Sequence, residues 1–310
     1  MSCPPLRKKI IFILGPTAIG KSKAAVYLAK KLKAEIISCD SMQVYKGMDI
    51  ITSKPGPALM RKARHHLIGA VSVKRDYDVF SFRRDALKKI REIISRGKTP
   101  LIVGGTGLYA SILINGIFEH KAGESALREK LYKIARDKGS LYLYKRLKDA
   151  DPGAARKIHP NDTRRVVRAL EVFKATGKPI SLLQKERHGL KDDYDVRVFC
   201  LNMPRDKLYK RIDARVERMF REGLIDEVRG LIKKRLSRTA SFAIGIREAS
   251  GYLKGDYAKE EAREMVKMNT RRYAKRQLSW FKKDKNTVWV NIRDKDTALK
   301  IAGRLWKKAC

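Results

Sequence analysis

The sequence predicts an α/β protein: a parallel β-sheet core interrupted by an α-helical insertion. Three observations carry the prediction. Short apolar runs alternate with amphipathic stretches through the first third of the chain, the strand signal disappears between about 117 and 187, and it returns at Val196–Asn202. Strand, helix, strand in that rhythm implies parallel strands joined by right-handed crossovers.

The elements follow in order. Ile10–Leu14, Ile36–Ser38 and Leu101–Val103 are short, apolar and bounded by polar or turn residues, as buried strands are. Helices are predicted near Ser22–Leu32 and over Ser81–Arg96, where Phe82, Ala86, Leu87, Ile90 and Ile94 fall on one face. Within the insertion Leu127, Leu131, Ile134, Leu141, Tyr144, Leu147, Val166, Leu170 and Phe173 keep helical spacing. Val196–Asn202 returns to the sheet, helices resume at Asp206–Glu222, Leu224–Lys234 and Lys259–Phe281, and Val288–Asn291 is a last strand. The expected division is a core of 1–116 and 188–310 with an insertion of 117–187.

Charge narrows the function. Lys and Arg number 72 against 33 Asp and Glu, a formal net charge of +39. Such an excess favours a polyanion through counterion release, and nucleic acid is the usual one; a solubilising surface is the bland alternative. The apolar run Ile10–Leu14 is too short to cross a bilayer and no secretory leader pattern surrounds it, so no membrane association is expected. Cys3, Cys39, Cys200 and Cys310 are scattered without metal-ligand spacing, which fits a reducing, cytoplasmic setting.

One motif carries explicit chemistry. Gly15-Pro16-Thr17-Ala18-Ile19-Gly20-Lys21-Ser22 satisfies G-x-x-x-x-G-K-[ST] between a predicted strand and a predicted helix. Glycines let backbone N–H groups curl around an anion, and the helix N-terminus adds its dipole. Lys21 neutralises phosphate charge and Ser22 supplies a hydroxyl for Mg²⁺. The core is therefore P-loop NTPase-like, and its ligand is a diphosphate or triphosphate.

The second strand ends in Asp40, and carboxyl ends of parallel strands line the ligand crevice. Asp40 is a candidate Mg²⁺ ligand or a general base toward an acceptor; alternatively it caps the next turn. The strand Thr99–Val103 runs into Gly104-Gly105-Thr106 without a terminal acid, so the usual Walker-B pattern is missing there.

These residues resemble a known family. GPTAIGKS, ISCDSMQVYKGMDIITSKP, HHLIG, GKTPLIVGGTGLYA, NDTRRVVRALEVFKATGKPIS, RIDARVERMFREGLIDEV, AIGIREASGYLKG and TRRYAKRQLSWF match the tRNA dimethylallyltransferase (isopentenyl-tRNA transferase) family in order and spacing. The match runs from Ile11 to about Val290. It implies a P-loop-type core with an inserted helical domain that grips the anticodon stem-loop of tRNA. Dimethylallyl would pass from dimethylallyl diphosphate to N6 of the adenosine at tRNA position 37, and the P-loop would hold the diphosphate with Mg²⁺. A monomer is the form the family implies.

The resemblance also assigns residues. Asp40 matches the general base, Thr106 a threonine beside it, and Arg247 an arginine bracing the diphosphate. Thr17, Lys21 and Ser22 match diphosphate and metal positions. Ser41, Met42 and Gln43, with Asp40, match the segment holding the flipped nucleotide. Arg128 and the strip Arg164, Arg165, Val166, Val167 and Arg168 match tRNA contacts, with Arg164 and Arg168 one helical turn apart. Arg271, Arg272, Lys275, Arg276, Lys282 and Lys283 are placed to track phosphates while Tyr273, Trp280 and Phe281 pack inward. Departures from the pattern are Ile246 for Tyr, Arg164 for Gln, Ile19 for a small residue, and a shortened stretch from Gly116 to Arg128.

Three other readings compete. A P-loop small-nucleotide kinase explains the phosphate loop but not the charge or the arginine strip. An adenylate isopentenyltransferase acting on free AMP shares the chemistry but has less use for a basic insertion. A non-enzymatic RNA-binding protein leaves Lys21 and Asp40 without a task.

Overall fold

The computed structural model describes residues 7–118, 125–293 and 296–309. The chain forms two compact units, one from Met1–Ile114 and Asp193–Cys310, the other from Asn115–Asp192. Along the chain the first unit opens with β1 (Lys9–Leu14), α1 (Lys21–Lys31), β2 (Ala34–Cys39), α2 (Pro57–Met60) and β3 (His65–His66). It continues with α3 (Val79–Ser95), β4 (Thr99–Gly104) and α4 (Gly107–Asn115). The inserted unit is helical among its described residues: α5 (Ser125–Lys138), α6 (Ser140–Ala150), α7 (Pro152–Ala155), α8 (Thr163–Thr176), α9 (Ile180–Leu183) and α10 (Leu190–Asp193). The first unit then resumes with β5 (Asp195–Asn202), α11 (Arg205–Arg221), α12 (Leu224–Ile232), a 3-10 turn (Ala240–Phe242), α13 (Ile246–Lys254), α14 (Lys259–Phe281), β6 (Val288–Asn291) and α15 (Ala298–Ala309).

The six strands form one sheet in the order β3-β2-β4-β1-β5-β6, and every pairing is parallel. A parallel sheet is covered on both faces, which is why β1 reads as an unbroken apolar run. Ile11 and Ile13 join Ala24 and Leu28 of α1, Leu208 and Ile212 of α11, and Ile301 and Leu305 of α15 in one core. Ile10 and Phe12 are equally buried and point to the other face, as a period of two requires. There α3 lies against β2 and β4. From β1 the chain crosses to β2, beyond β4, and after the insertion enters β5 on the opposite side of β1. That reversal opens a crevice at the carboxyl ends of β1, β4 and β2.

The helical unit has its own core, built on Leu131 of α5, Leu143 and Leu147 of α6, Val166, Val167, Leu170 and Val172 of α8, and Ile180 of α9. Asp151 is fully buried between two short helices. Its carboxylate caps α7 through Ala154 N–H (2.8 Å) and accepts from Ser181 N–H (2.9 Å) and Ser181 Oγ (2.6 Å), so a buried charge closes the unit with its bonds satisfied.

Helices α2, α4, α13 and α15 and the short strand β3 have no counterpart in the sequence-based expectation. Helix α4 is apolar nearly throughout and follows a strand after two residues, so periodicity alone cannot separate it from the strand. Residues 119–124, within the stretch expected to be shortened, lie outside the described residues, as do Cys3 and Cys310.

Candidate active site

The loop between β1 and α1 takes the shape that its sequence requires. Gly15 has φ 142°, a region L side chains avoid, and a Cβ there would sit 2.8 Å from Leu201 O of β5. Lys21 Nζ bends over the loop and donates to Gly15 O (2.9 Å) and Pro16 O (2.8 Å). Ser22 follows at the start of α1, and its hydroxyl takes part in none of these bonds.

Beside the loop, β2 delivers Asp40. Its Oδ1 accepts from Met42 N–H (2.9 Å) and Gln43 N–H (3.3 Å), so Asp40 does cap the next turn. Oδ2 stays outside that turn. Capping and a second role are therefore compatible, one oxygen for each. The turn leads into a loop that Glu227 of α12 pins by accepting from Asp49, Ile50 and Ile51 N–H at 2.9, 2.8 and 2.8 Å. Gln43 Nε2 donates to Thr52 O across the same loop at 3.3 Å.

The end of β4 completes this side. Gly104 passes so close to Cys39 that any Cβ would overlap its carbonyl. Thr106 N–H donates to Cys39 O (3.2 Å), and Thr106 Oγ1 accepts from Ser41 N–H (3.1 Å). Thr106 is thus bonded to the residues on either side of Asp40. The tertiary structure adds Tyr273 of α14. Burial and the nearby Asp40 charge push its phenol well above the usual range, while a hydrogen bond with Thr106 opposes the shift.

Two further residues enter that the motif reading did not single out. Arg215 of α11 donates from Nη1 to Thr17 Oγ1 at 2.9 Å. Gln277 of α14 is buried; it accepts from Thr17 N–H at 2.9 Å and donates to Gly105 O at 2.9 Å, tying the phosphate loop to the end of β4. Both come from helices far along the chain, and nothing local in the sequence marks them among so many basic and polar residues.

Electrostatically the crevice is a cationic pocket facing one carboxylate. Burial, then the charge of Arg215, lower Lys21 to about 8, and Asp40 partly offsets this. Burial, then Arg218, lower Arg215 to about 10, again opposed by Asp40. Both cations are short of solvation and gain from an incoming anion. Burial raises the Cys39 thiol far above its usual value, which keeps it protonated and inert.

Arg247 is exposed in the first turn of α13; its carbonyl lies 3.5 Å from Tyr257 Oη. Among the described residues no hydrogen bond or ion pair joins its side chain to the phosphate loop or to Asp40. The arginine hydrogen-bonded to the loop in this structure is Arg215, on a helix that joins the sheet core through Leu208 and Ile212.

In the helical unit, α5 and α8 pack together and bring Arg128 beside the arginine strip. Arg164 and Arg165 are exposed and Arg168 is half-buried, but Val166 and Val167 are 0% and 1% exposed. The two valines form the packing face of α8, so their side chains support the strip and cannot touch a ligand. On α14, Arg271 is paired with Asp213 (Nε to Oδ1, 2.8 Å), and Phe281 is buried as expected. Trp280 is not: 38% exposed, it lies over Gly107 with Lys283 Nζ 5.9 Å from its ring.

Among the described residues no group of three or more His, Cys, Asp or Glu could hold a metal ion, and no helix is long and apolar enough to cross a membrane. A strand-loop-helix of this sequence on a six-stranded parallel sheet places the chain among P-loop-type α/β enzymes. The family model for IPP transferase matches residues 43–284, and that for isopentenyl transferase matches residues 8–76. The chain belongs to the tRNA dimethylallyltransferase family. It is 46% identical over 286 residues to the tRNA dimethylallyltransferase of Geobacter sulfurreducens, covering 92% of each chain. The crystal structure of the tRNA isopentenylpyrophosphate transferase of Bacillus halodurans is similar at a TM-score of 0.72 and 40% identity, over 98% of this chain and 97% of that one. A eukaryotic dimethylallyltransferase acting on tRNA is similar at a TM-score of 0.78 and 32% identity, over 92% of this chain and 74% of that one.

Proposed function

We propose that this protein transfers dimethylallyl from dimethylallyl diphosphate to N6 of the adenosine at tRNA position 37, with release of diphosphate. The observation that carries the reading is a cationic phosphate loop after β1 with Asp40 at the end of β2, one strand away across β4. Adenine N6 is a weak nucleophile because its lone pair is delocalised into the ring, so base and leaving group must both be helped. As the N6–C bond forms, the allylic C–O bond breaks and its electron pair leaves on the diphosphate. The N6 proton passes to Asp40 Oδ2, the oxygen outside the turn. Lys21, Arg215 and the loop N–H groups gather around the departing charge.

Thr106 and the 41–43 segment hold the acceptor base, which must leave its stack because a base inside a helix is unreachable. Ser22 Oγ suits Mg²⁺, an ion that takes few protein oxygens and completes its shell with substrate phosphates and water; when bound it neutralises leaving-group charge. That donor set agrees with the lack of a larger acidic cluster among the described residues. Arg128, Arg164, Arg165 and Arg168 contact the phosphates of the anticodon stem-loop. The protein works as a cytoplasmic monomer, a setting its buried free thiols Cys39 and Cys200 suit.

The test is transfer of radiolabelled dimethylallyl from its diphosphate, with Mg²⁺, to unmodified tRNA carrying adenosine 3′ of the anticodon and, separately, to AMP. Label in tRNA that disappears when that adenosine is changed is the expected result. Label in AMP would make this a free-nucleotide transferase, and label in neither would return the loop to the kinase reading.

A further inference from the structure

Glu171 lies on α8 with its side chain fully buried, yet it carries a charge in the core of the helical unit. Its carboxylate is saturated by two arginines from two helices. Arg128 of α5 donates Nη2 to Oε1 (2.9 Å) and to Oε2 (3.1 Å) and Nε to Oε2 (3.2 Å); Arg168 donates Nη1 to Oε2 at 3.1 Å. We propose that Glu171 is a positioning residue for RNA binding: one buried carboxylate aims two guanidinium groups outward at the tRNA backbone. The proposal rests on the reading of Arg128 and Arg168 as phosphate contacts.

Geometry and charge both support it. Residues 164, 168 and 171 follow i, i+4 and i+7 on α8, so Arg164, Arg168 and Glu171 share one face that runs from exposed to buried. The arginine side chains remain 41% and 29% exposed while the carboxylate is closed off. A guanidinium has more N–H donors than these bonds use, so each arginine keeps outward donors for a phosphate oxygen. Two cations on one anion leave the cluster positive, whereas a pair built only for packing would be neutral. Holding long side chains in their bound orientation removes an entropy cost that would otherwise fall on binding.

The sign of one substitution separates positioning from bulk charge. Glu171→Gln removes a negative charge from a polyanion-binding surface, so electrostatics alone tightens tRNA binding. Positioning demands the reverse. We expect Glu171→Gln to raise the tRNA Kd and the KM for tRNA about tenfold, with kcat at saturating tRNA and the KM for dimethylallyl diphosphate unchanged. Its effect should shrink in an Arg128→Ala background, since the two act as a unit. Glu129→Gln, on the exposed side of α5, removes the same charge without touching these bonds and should leave Kd unchanged or lower it.

A Glu171→Gln enzyme that melts like the parent but binds tRNA equally or more tightly overturns the proposal. Should that variant fail to fold, Glu171→Asp keeps the charge and retracts it by one methylene; an unaltered Kd in it overturns the proposal equally. If Arg128→Ala and Arg168→Ala themselves leave tRNA binding unchanged, the reading of this surface fails and the proposal with it. Loss in the arginine variants without loss in Glu171→Gln refutes the positioning role alone.

Discussion

Arg215 Nη1 lies 2.9 Å from Thr17 Oγ1, so helix α11 places a desolvated guanidinium directly on the phosphate loop. Gln277 of α14 holds the N–H of the same threonine. Two helices that lie late in the chain thus hold one residue of the loop, its side chain and its N–H, in place.

Arg215→Ala should therefore lower kcat/KM for dimethylallyl diphosphate by at least about a hundredfold, the loss typical of removing a group that stabilises developing charge. Arg247→Ala should leave the KM for the diphosphate within about threefold, a change too small to reflect a lost charge-assisted contact. Steady-state kinetics with varied diphosphate would show the reverse ranking if Arg247 were the bracing arginine.

Asp40→Asn should retain tRNA affinity and lose about a hundredfold or more in single-turnover rate, the contribution of a general base. The asparagine oxygen can still accept from Met42 and Gln43 N–H, so the turn survives and the loss reports on the second oxygen. Near-normal turnover would remove Asp40 from that role.

Burial, with the Arg215 charge nearby, lowers Lys21 from its ordinary 10.5 to about 8. Below that pH it is charged and, on the proposed function, available to diphosphate; as pH rises through 8 the free enzyme loses this cation. Plots of kcat/KM for the diphosphate should fall above pH about 8, whereas kcat should hold to higher pH because bound diphosphate stabilises the ammonium. In Lys21→Arg the fall near pH 8 should vanish, whatever the residual activity. A descending limb that persists there belongs to another group.

tRNA affinity should fall steeply with salt. Exposed Arg165, paired with Asp162 at 3.1 Å, and half-buried Arg168 should each flatten the slope of log K against log salt by roughly one unit when changed to alanine. Filter binding over a salt series measures it, and a slope untouched by either change would move the RNA surface elsewhere.

Glu35 tests the fold. This buried residue of β2 accepts from His66 Nε2 (2.8 Å), Arg96 Nη2 (2.7 Å) and Lys98 Nζ (2.9 Å), tying β2 to β3 and to the approach to β4. Against the cost of burial, the bonds from Lys98, His66 and Arg96 hold its carboxyl at about 2, below its ordinary 4.5. Its stabilisation is complete above pH about 4.5 and is lost as pH falls toward 2. Glu35→Gln should cost about 3 kcal/mol at pH 7, roughly 6–12 °C in Tm for a unit of this size, with the gap to the parent closing only below pH about 4.5. A gap that does not close on acidification would leave the loss to packing.

What the sequence by itself determined is what rests on near neighbours. The strand-loop-helix of the phosphate site, the carboxylate at the end of β2 and the helical spacing of the insertion are periodic or contiguous features, legible because adjacent residues enforce them. The identity of α4 was not legible, since an apolar stretch leaves no period to read. Only the tertiary structure decided the rest. Thr17 meets Arg215 and Gln277 across 198 and 260 residues, Val166 and Val167 turn inward while Arg165 turns out, and Glu171 gathers Arg128 from another helix. The physical reason is the same in each case. One arginine among 72 basic residues carries no local mark of its partner, and the partner is chosen by how helices pack on a sheet or on one another, which depends on the whole core at once.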